Sequence, residues 1–119
     1  MKKTTRDLAP RVRIWIESPD RGGTLGDGKI RLLQAIAAEG SLQAASKKLG
    51  ISYRKAWGDL KKAEACFAKP LLAKSRGGRD GGRTALTEEG RTLIDAYLAF
   101  RQKVDDVLQR SFRDLMKVL

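Results

Sequence analysis

Two glycine-rich stretches that carry basic residues have the composition of phosphate-binding loops. The first, GGTLGDGKI at residues 22–30, places four residues between Gly23 and Gly28 and follows Gly28 with Lys29. This nearly matches the G-x-x-x-x-G-K-[ST] loop that cradles nucleotide phosphates. Ile30 stands where that loop needs a hydroxyl group for magnesium, and the chain shows neither a parallel-sheet pattern nor a strand-end Asp. We therefore interpret this stretch as a glycine-rich turn before a helix.

The second stretch, KSRGGRDGGRTALTEEG at residues 74–90, has two Gly-Gly pairs between basic side chains. These basic residues are Lys74, Arg76, Arg79 and Arg83. Glu88 and Glu89 stand at the positive end of the helix that follows, where their carboxylates would repel a phosphate. The pattern therefore favours a hairpin tip whose guanidinium groups lie along a nucleic-acid backbone or in a narrow minor groove. A merely solvated basic loop is the alternative.

The residue types that are missing exclude much catalytic and metal chemistry. The chain has no histidine, which excludes an imidazole base, a Ser-His or Cys-His pair and a His-bearing metal site. The single Cys66 cannot close an internal disulfide, and its apolar helical context favours a small buried residue over a reactive thiol. We therefore expect no enzyme, no catalytic residue, no metal and no cofactor. A cytoplasmic setting fits, because no long apolar run indicates a signal peptide or a membrane span.

The charge of the chain favours a polyanionic partner. The 119 residues, enough for one domain, include 25 Lys and Arg against 14 Asp and Glu, a net charge of +11. Residues 52–83 hold nine basic and three acidic side chains, whereas residues 84–119 hold six of each. Basic patches of this kind neutralise phosphates and release condensed counterions.

Apolar periodicity and capping residues predict the elements that position these stretches. Residues 12–17 alternate as a half-buried strand does, with Val12, Ile14 and Ile16 on the inner side. A first helix begins near Lys29 and ends at Gly40. Its predicted inner face consists of Ile30, Leu33, Ile36 and Ala37.

Residues 40–64, GSLQAASKKLGISYRKAWGDLKKAE, have helix-turn-helix spacing. Ser41 caps a short helix that Gly50 ends, and Ser52 caps a third helix that we expect to end near Pro70. Ala45 is predicted where the two helices cross closely. The predicted inner face of the third helix consists of Ala56, Leu60, Ala63 and Phe67.

The outward face of the third helix suits the major groove of DNA. It holds Arg54, Gly58, Lys61 and Lys62, with Ser52 and Tyr53 at its N-terminal end. Arginine makes bidentate contacts to guanine, lysine meets phosphate, and Gly58 permits close approach. A purely solvated basic face is the alternative.

The segments LLAKS and RTAL are predicted to pair as a hairpin around the second glycine-rich stretch, and Thr87 to cap a final helix. One apolar stripe, interrupted near Arg101, follows this helix for about thirty residues, or about 45 Å. We expect Leu93, Ile94, Tyr97, Val104, Leu108, Phe112 and Leu115 to form a homodimer interface with a second copy of the chain. A shorter helix that breaks and folds back is the alternative.

The order of the segments LGDGKIRLLQAI, GSLQAASKKLGISYRKAW, GGRDGG and LTEEGRTLIDAY resembles the N-terminal DNA-binding domain of ModE-type molybdate-responsive transcription regulators, which is related to LysR-type regulators. The resemblance covers residues 10 to 105. It implies a mainly α winged helix-turn-helix with a small β wing and a long C-terminal dimerisation helix. We expect a single domain over 1–119, with the helix-turn-helix at about 41–68, the wing at about 71–86 and the dimerisation helix at about 88–119.

By the same resemblance, residues of three segments would meet DNA. Ser41 and Gln43 would lie near the backbone; Ser52, Tyr53, Arg54 and Lys55 would lie at bases or phosphates; Arg76, Arg79 and Arg83 would lie on the wing. The family's full-length members continue into oxyanion-binding domains, whereas this chain stops at Leu119, so we expect no molybdate binding within it. The predicted function is a sequence-specific regulator that binds double-stranded DNA; a nonspecific nucleic-acid-binding architectural protein is the alternative.

Overall fold

The computed structural model describes residues 7–75 and 82–119 of the chain. Its elements are β1 (Trp15–Ser18), β2 (Gly23–Gly26), α1 (Asp27–Glu39), α2 (Leu42–Leu49), α3 (Tyr53–Glu64), β3 (Leu72–Lys74), β4 (Thr84–Leu86) and α4 (Glu88–Met116). The strands form two antiparallel pairs, β1 with β2 and β3 with β4. The architecture is a winged helix-turn-helix followed by a long helix, which confirms the predicted fold class.

The chain divides into two compact units. One contains residues 14–95, and the other contains residues 1–13 with residues 96–119. All six of the largest fully buried side chains belong to the first unit: Leu25, Ile30, Leu32, Leu33, Ile36 and Leu71. Helix α4 begins in the first unit and continues through the second.

Small residues let α2 and α3 approach each other closely. Ala45 of α2 and Ala56 of α3 are fully buried in one cluster with Leu32 and Ile36 of α1. Partly buried Leu42, Leu49, Ile51, Leu60 and Leu72 pack around this cluster. Both alanines are fully buried in this cluster, which confirms the prediction that Ala45 lies at a close crossing. A larger side chain at either alanine would push the helices apart.

The helix boundaries in the helix-turn-helix follow local capping chemistry. The Ser41 hydroxyl oxygen accepts a hydrogen bond from the Ala44 amide at 3.0 Å, and Ser52 accepts one from Lys55 at 3.0 Å. Gly50 ends α2 in the left-handed region, with φ of 71°. The predicted start and end of α2 and the start of α3 are therefore confirmed.

The predicted end of α3 is wrong. The helix ends at Glu64, not near Pro70, and Phe67 lies outside it as a half-buried residue. After Glu64 the amides of Cys66 and Phe67 bond to carbonyls three residues back, which tightens and ends the helix. Gly23 of β2 crosses at this point, where an added Cβ would lie 2.6 Å from the Cys66 nitrogen.

The N-terminal strand is shorter than predicted and less buried. It covers Trp15–Ser18 instead of residues 12–17, and Ile16, predicted to face inward, is 42% exposed. Ile16 pairs with Leu25, which is fully buried because β2 lies against the helices. β1 is the outer strand of the pair, and the helices that cover Leu25 of β2 leave Ile16 of β1 exposed.

The first glycine-rich stretch is structural, as predicted, although it is a strand more than a turn. Residues 23–26 form β2, and α1 begins at Asp27 with no intervening loop. Leu25 is fully buried within the strand. The backbone of Gly23–Gly26 therefore pairs with β1, and the strand packs on α3.

The hairpin β3–β4 and helix α4 form as predicted. Thr87 caps α4, since its hydroxyl accepts from the Gly90 amide at 3.0 Å and donates to the Pro70 carbonyl at 2.8 Å. The predicted alternative of a broken helix is wrong, because α4 passes through Arg101 without interruption.

No helix within the described residues is long and apolar enough to span a membrane.

Candidate DNA-binding surface

Helix α3 presents its basic face to solvent, as its sequence pattern predicts. Arg54, Lys61 and Lys62 are exposed along it. A Cβ added at Gly58 would meet nothing within 4 Å, so the middle of this face is open to close approach. Ala56 and Ala63 on the opposite side are fully buried, which fixes the rotation of the helix about its axis.

Lys55, in the first turn of α3, forms an ion pair within its own helix. Its ammonium nitrogen is 2.8 Å from a carboxylate oxygen of Asp59 one turn later. The two residues line a separate cleft of about 350 Å³ together with Trp15, Lys29 and Arg31. The Lys55 ammonium group is therefore already paired with a carboxylate on its own helix.

A wide groove separates α3 from the hairpin β3–β4. Its volume is about 880 Å³. Its lining includes polar side chains, aromatic side chains and two glycines. These are Gly40, Ser41 and Gln43 at the start of α2, Tyr53, Trp57, Lys61 and Glu64 on α3, and Lys74, Ser75, Gly82 and Thr84 at the hairpin. The structure thus brings predicted residues from α2 and α3 together at one surface.

Trp57 is a prominent member of this surface that the sequence interpretation missed. The indole is 51% exposed, and the Lys61 ammonium nitrogen lies 5.3 Å from its ring centroid. Tyr53, one turn earlier, is 54% exposed on the same side. The signal was present in the sequence, because residues 53, 57 and 61 recur at helical spacing beside the inward-facing alanines.

The base of the wing is attached to the start of the helix-turn-helix. The Thr84 amide donates to the Gly40 carbonyl at 2.8 Å, and the Ser75 amide donates to the Arg83 carbonyl at 2.8 Å. Gly40 has φ of 85°, and a Cβ there would lie 2.6 Å from the Arg83 guanidinium carbon. Arg83 therefore lies against the N-terminus of α2. Arg76 and Arg79 lie outside the described residues.

Cys66, predicted to be a small buried residue, is half-buried. Burial raises the pKa of its thiol, although the positive charges of Lys29 and Arg21 oppose this shift. Its sulfur lies 3.7 Å from the Lys62 carbonyl oxygen, to which the thiol donates. A raised pKa leaves less thiolate at neutral pH, so the chemistry of Cys66 agrees with a structural role.

The residues predicted for a dimer interface differ in burial. Ile94 and Tyr97 are only 5% and 3% exposed within the single chain, so they serve its own packing and offer little area to a second copy. Leu93, Val104, Leu108 and Phe112 are half-buried, and Leu115 is exposed. A shallow apolar groove of about 450 Å³ runs along the second unit, lined by Val12, Phe100, Lys103, Val104, Val107, Leu108 and Ser111.

Comparison with known proteins agrees with this geometry. Residues 28–91, from α1 to the start of α4, match the family described as "Bacterial regulatory helix-turn-helix protein, lysR family". The chain is 37% identical over 99 residues to "Molybdenum transport protein ModE" of Azotobacter vinelandii, covering 83% of this chain and 37% of that protein. It is 36% identical over 83 residues to "DNA-binding transcriptional dual regulator ModE" of Escherichia coli K12, covering 67% of this chain and 32% of that protein.

A further relative is "Molybdenum-pterin-binding protein MopA" of Rhodobacter capsulatus, 38% identical over 73 residues, covering 61% of this chain and 28% of that protein. The chain spans about a third of the length of these curated relatives. The predicted resemblance to ModE-type regulators is confirmed, and the chain belongs to the lysR family of bacterial regulatory helix-turn-helix proteins.

Proposed function

We propose that this protein is a sequence-specific transcription regulator, and not an enzyme, that binds double-stranded DNA as a homodimer in the bacterial cytoplasm. The observation that carries the proposal is the exposed basic face of α3, whose opposite side is fixed against α1 and α2 through Ala56. A rigidly held helix with exposed arginine and lysine is the element that enters the major groove in helix-turn-helix proteins.

Within this proposal the residues have distinct roles. Arg54 reads guanine through a bidentate contact, and Lys61 and Lys62 meet phosphates on either side of the helix. Ser41 and Gln43 stand at the N-terminus of α2, where free backbone amides attract a phosphate. Lys55 contributes less than predicted, because its ammonium group is already paired with Asp59.

Ser52 and Tyr53, two further predicted contacts, lie at the N-terminal end of α3. Ser52 acts as the cap of α3 and Tyr53 lies beside the groove. We propose that the guanidinium groups of Arg76, Arg79 and Arg83 contact the DNA backbone or a narrow minor groove. These three guanidinium groups add affinity for any sequence, whereas Arg54 distinguishes sequences.

A second copy of the chain is the proposed occupant of the apolar groove along α4. Phe100 and Val107 are exposed there beside half-buried Val104 and Leu108, an arrangement that costs free energy in water. Residues 84–119 carry six basic and six acidic side chains, so no net charge opposes pairing. Two-fold pairing would hold two α3 helices about 34 Å apart, one turn of DNA.

A competition experiment separates this proposal from the alternative of nonspecific nucleic-acid binding, which the net charge of +11 favours. The duplex with the highest affinity, selected from a random library, competes against random-sequence DNA. A specific regulator prefers its own duplex by about a thousandfold or more. Equal affinity for both would support the nonspecific alternative.

We also propose that the 119-residue chain itself binds no molybdate. The names of several relatives refer to molybdenum. Among the residues that the structure describes, the one buried polar side chain is Ser46, and its hydroxyl already donates to the Gln43 carbonyl at 2.7 Å. An oxyanion pocket needs several convergent donors, which this interior does not supply.

A further inference from the structure

We infer that Trp57, together with Tyr53, reads the methyl groups of thymine bases at the side of α3 that faces the wing. The inference rests on the proposed function and deepens it, since it names bases that the DNA site must contain. The aromatic composition of this helix side is unusual. Two large aromatic rings stand exposed, one turn apart, on a helix side that otherwise carries lysine and glutamate.

The surroundings of Trp57 hold the ring at the surface instead of in the core. Lys61 lies one turn later with its ammonium nitrogen 5.3 Å from the ring centroid, so the ring is fixed beside a positive charge. No described residue accepts a hydrogen bond from the indole nitrogen. A Cβ added at Gly58, the next residue, would meet nothing within 4 Å, so the helix surface there is open. The indole, 51% exposed, is accessible to DNA that approaches α3.

The chemical groups that the major groove presents indicate what the two rings contact. Base edges in the major groove present hydrogen-bonding groups and a single apolar group, the C5 methyl of thymine. Contact with an aromatic ring removes that methyl group from water and stabilises the complex. Cytosine has no such methyl group, so the same contact stabilises the complex less there. Rings separated by one helical turn, about 5.4 Å, span between one and two base-pair steps. The pair thus favours one or two thymines in each half-site.

Stacking on single-stranded bases is the other use of exposed aromatic rings in nucleic-acid-binding proteins. Trp57 suits this use less well, because Lys61 already lies over the ring and a stacked base would have to displace it. A methyl group needs only the part of the ring that remains exposed. Duplex DNA is therefore the occupant that the geometry favours.

The test compares thymine with deoxyuridine, which lacks the methyl group and pairs identically. Each thymine in the selected duplex is replaced singly, and affinity is measured by fluorescence anisotropy. At one or two positions in each half-site the affinity of the wild type should fall about fourfold, the factor expected for one methyl group. Trp57→Ala should bind both duplexes equally at those positions and keep the base preference that Arg54 gives.

Two further variants keep the result interpretable. Trp57→Phe retains a ring without the N–H donor and should retain the methyl preference; if it instead weakens binding to all duplexes equally, the indole donates to phosphate and the inference is wrong. Trp15→Ala, which removes the other exposed tryptophan, should leave the methyl preference unchanged. Thermal unfolding of each variant verifies that α3 still packs.

The outcomes distinguish this inference from the proposed function. If selection enriches a duplex but the wild type binds thymine and deoxyuridine alike at every position, only the inference fails. If Trp57→Ala weakens single-stranded DNA binding as much as duplex binding, the ring is a stacking platform and the inference is again wrong. If selection enriches no sequence, the proposed function and the inference fail together.

Discussion

The two compact units of this chain differ in how far they bury their apolar side chains. Residues 14–95 contain six fully buried aliphatic side chains and an alanine crossing between two helices. In the other unit only Tyr97 is buried among the described residues, while Phe100, Val107 and Leu115 are each about half exposed. The first unit holds a core of its own, and the second has an apolar surface of the kind that a partner covers. This difference fits the proposed division of roles, in which the first unit binds DNA and the second pairs with a second copy.

The largest expected effect comes from charging the apolar groove. Val104→Asp with Leu108→Asp should yield monomers, because paired helices would bury these carboxylates in an apolar contact. Losing the second half-site contact should lower the affinity for a two-half-site duplex by about a hundredfold or more. Sedimentation measures the mass and anisotropy measures the binding.

The matched control places the same charge on the polar side of α4. Gln102→Asp with Gln109→Asp also adds two negative charges, at exposed positions outside the groove. This variant should remain a dimer. Monomeric wild type at micromolar concentration would show that the groove is not a homodimer interface.

The next effect should appear within the first unit, between neighbouring residues of α3. Arg54→Ala should weaken binding to the selected duplex by about 1 to 3 kcal/mol, with little change on random DNA. Lys55→Ala should change specific binding less, since that ammonium group is paired with Asp59. Equal losses from both variants, on all sequences, would place both residues on phosphates and remove the distinction.

A smaller, sequence-independent effect should come from the wing. Changing Arg76, Arg79 and Arg83 together to Ala should weaken binding to all duplexes and flatten its dependence on salt. Each lost phosphate contact should reduce the slope of log affinity against log salt by about 0.9. An unchanged slope would leave the second glycine-rich stretch as a solvated loop.

The features that the sequence predicted correctly depend on residues close to one another in the chain. Ser41, Ser52 and Thr87 cap helices through amides three residues away, and Gly50 ends α2 through its own backbone angle. Such effects leave a local pattern. The alanine crossing was also predictable, because small residues at inward positions of two adjoining helices indicate close approach.

The features that the sequence did not predict depend on contacts between distant segments. Helix α3 ends early where Gly23 crosses Cys66, more than forty residues along the chain. Ile16 is exposed because its strand lies at the outer side of β2, which no alternation pattern encodes. The Lys55–Asp59 ion pair is an exception, since it is local, at a spacing of four residues, but side-chain positions were needed to see it.

Molybdate is expected to have no effect on this chain. Titration calorimetry of the 119-residue chain with molybdate should show no binding heat, and molybdate should not change its affinity for DNA. Binding at micromolar molybdate would contradict the proposal that this chain binds no molybdate.

Selection of duplexes from a random library by the purified protein tests the central claim most directly. The account predicts an enriched pseudo-palindromic motif whose half-site centres lie about 34 Å apart, or a multiple of that distance. Each half-site should contain a guanine that Arg54→Ala no longer distinguishes. Enrichment of no motif, with equal binding of all duplexes, would contradict sequence-specific recognition by α3.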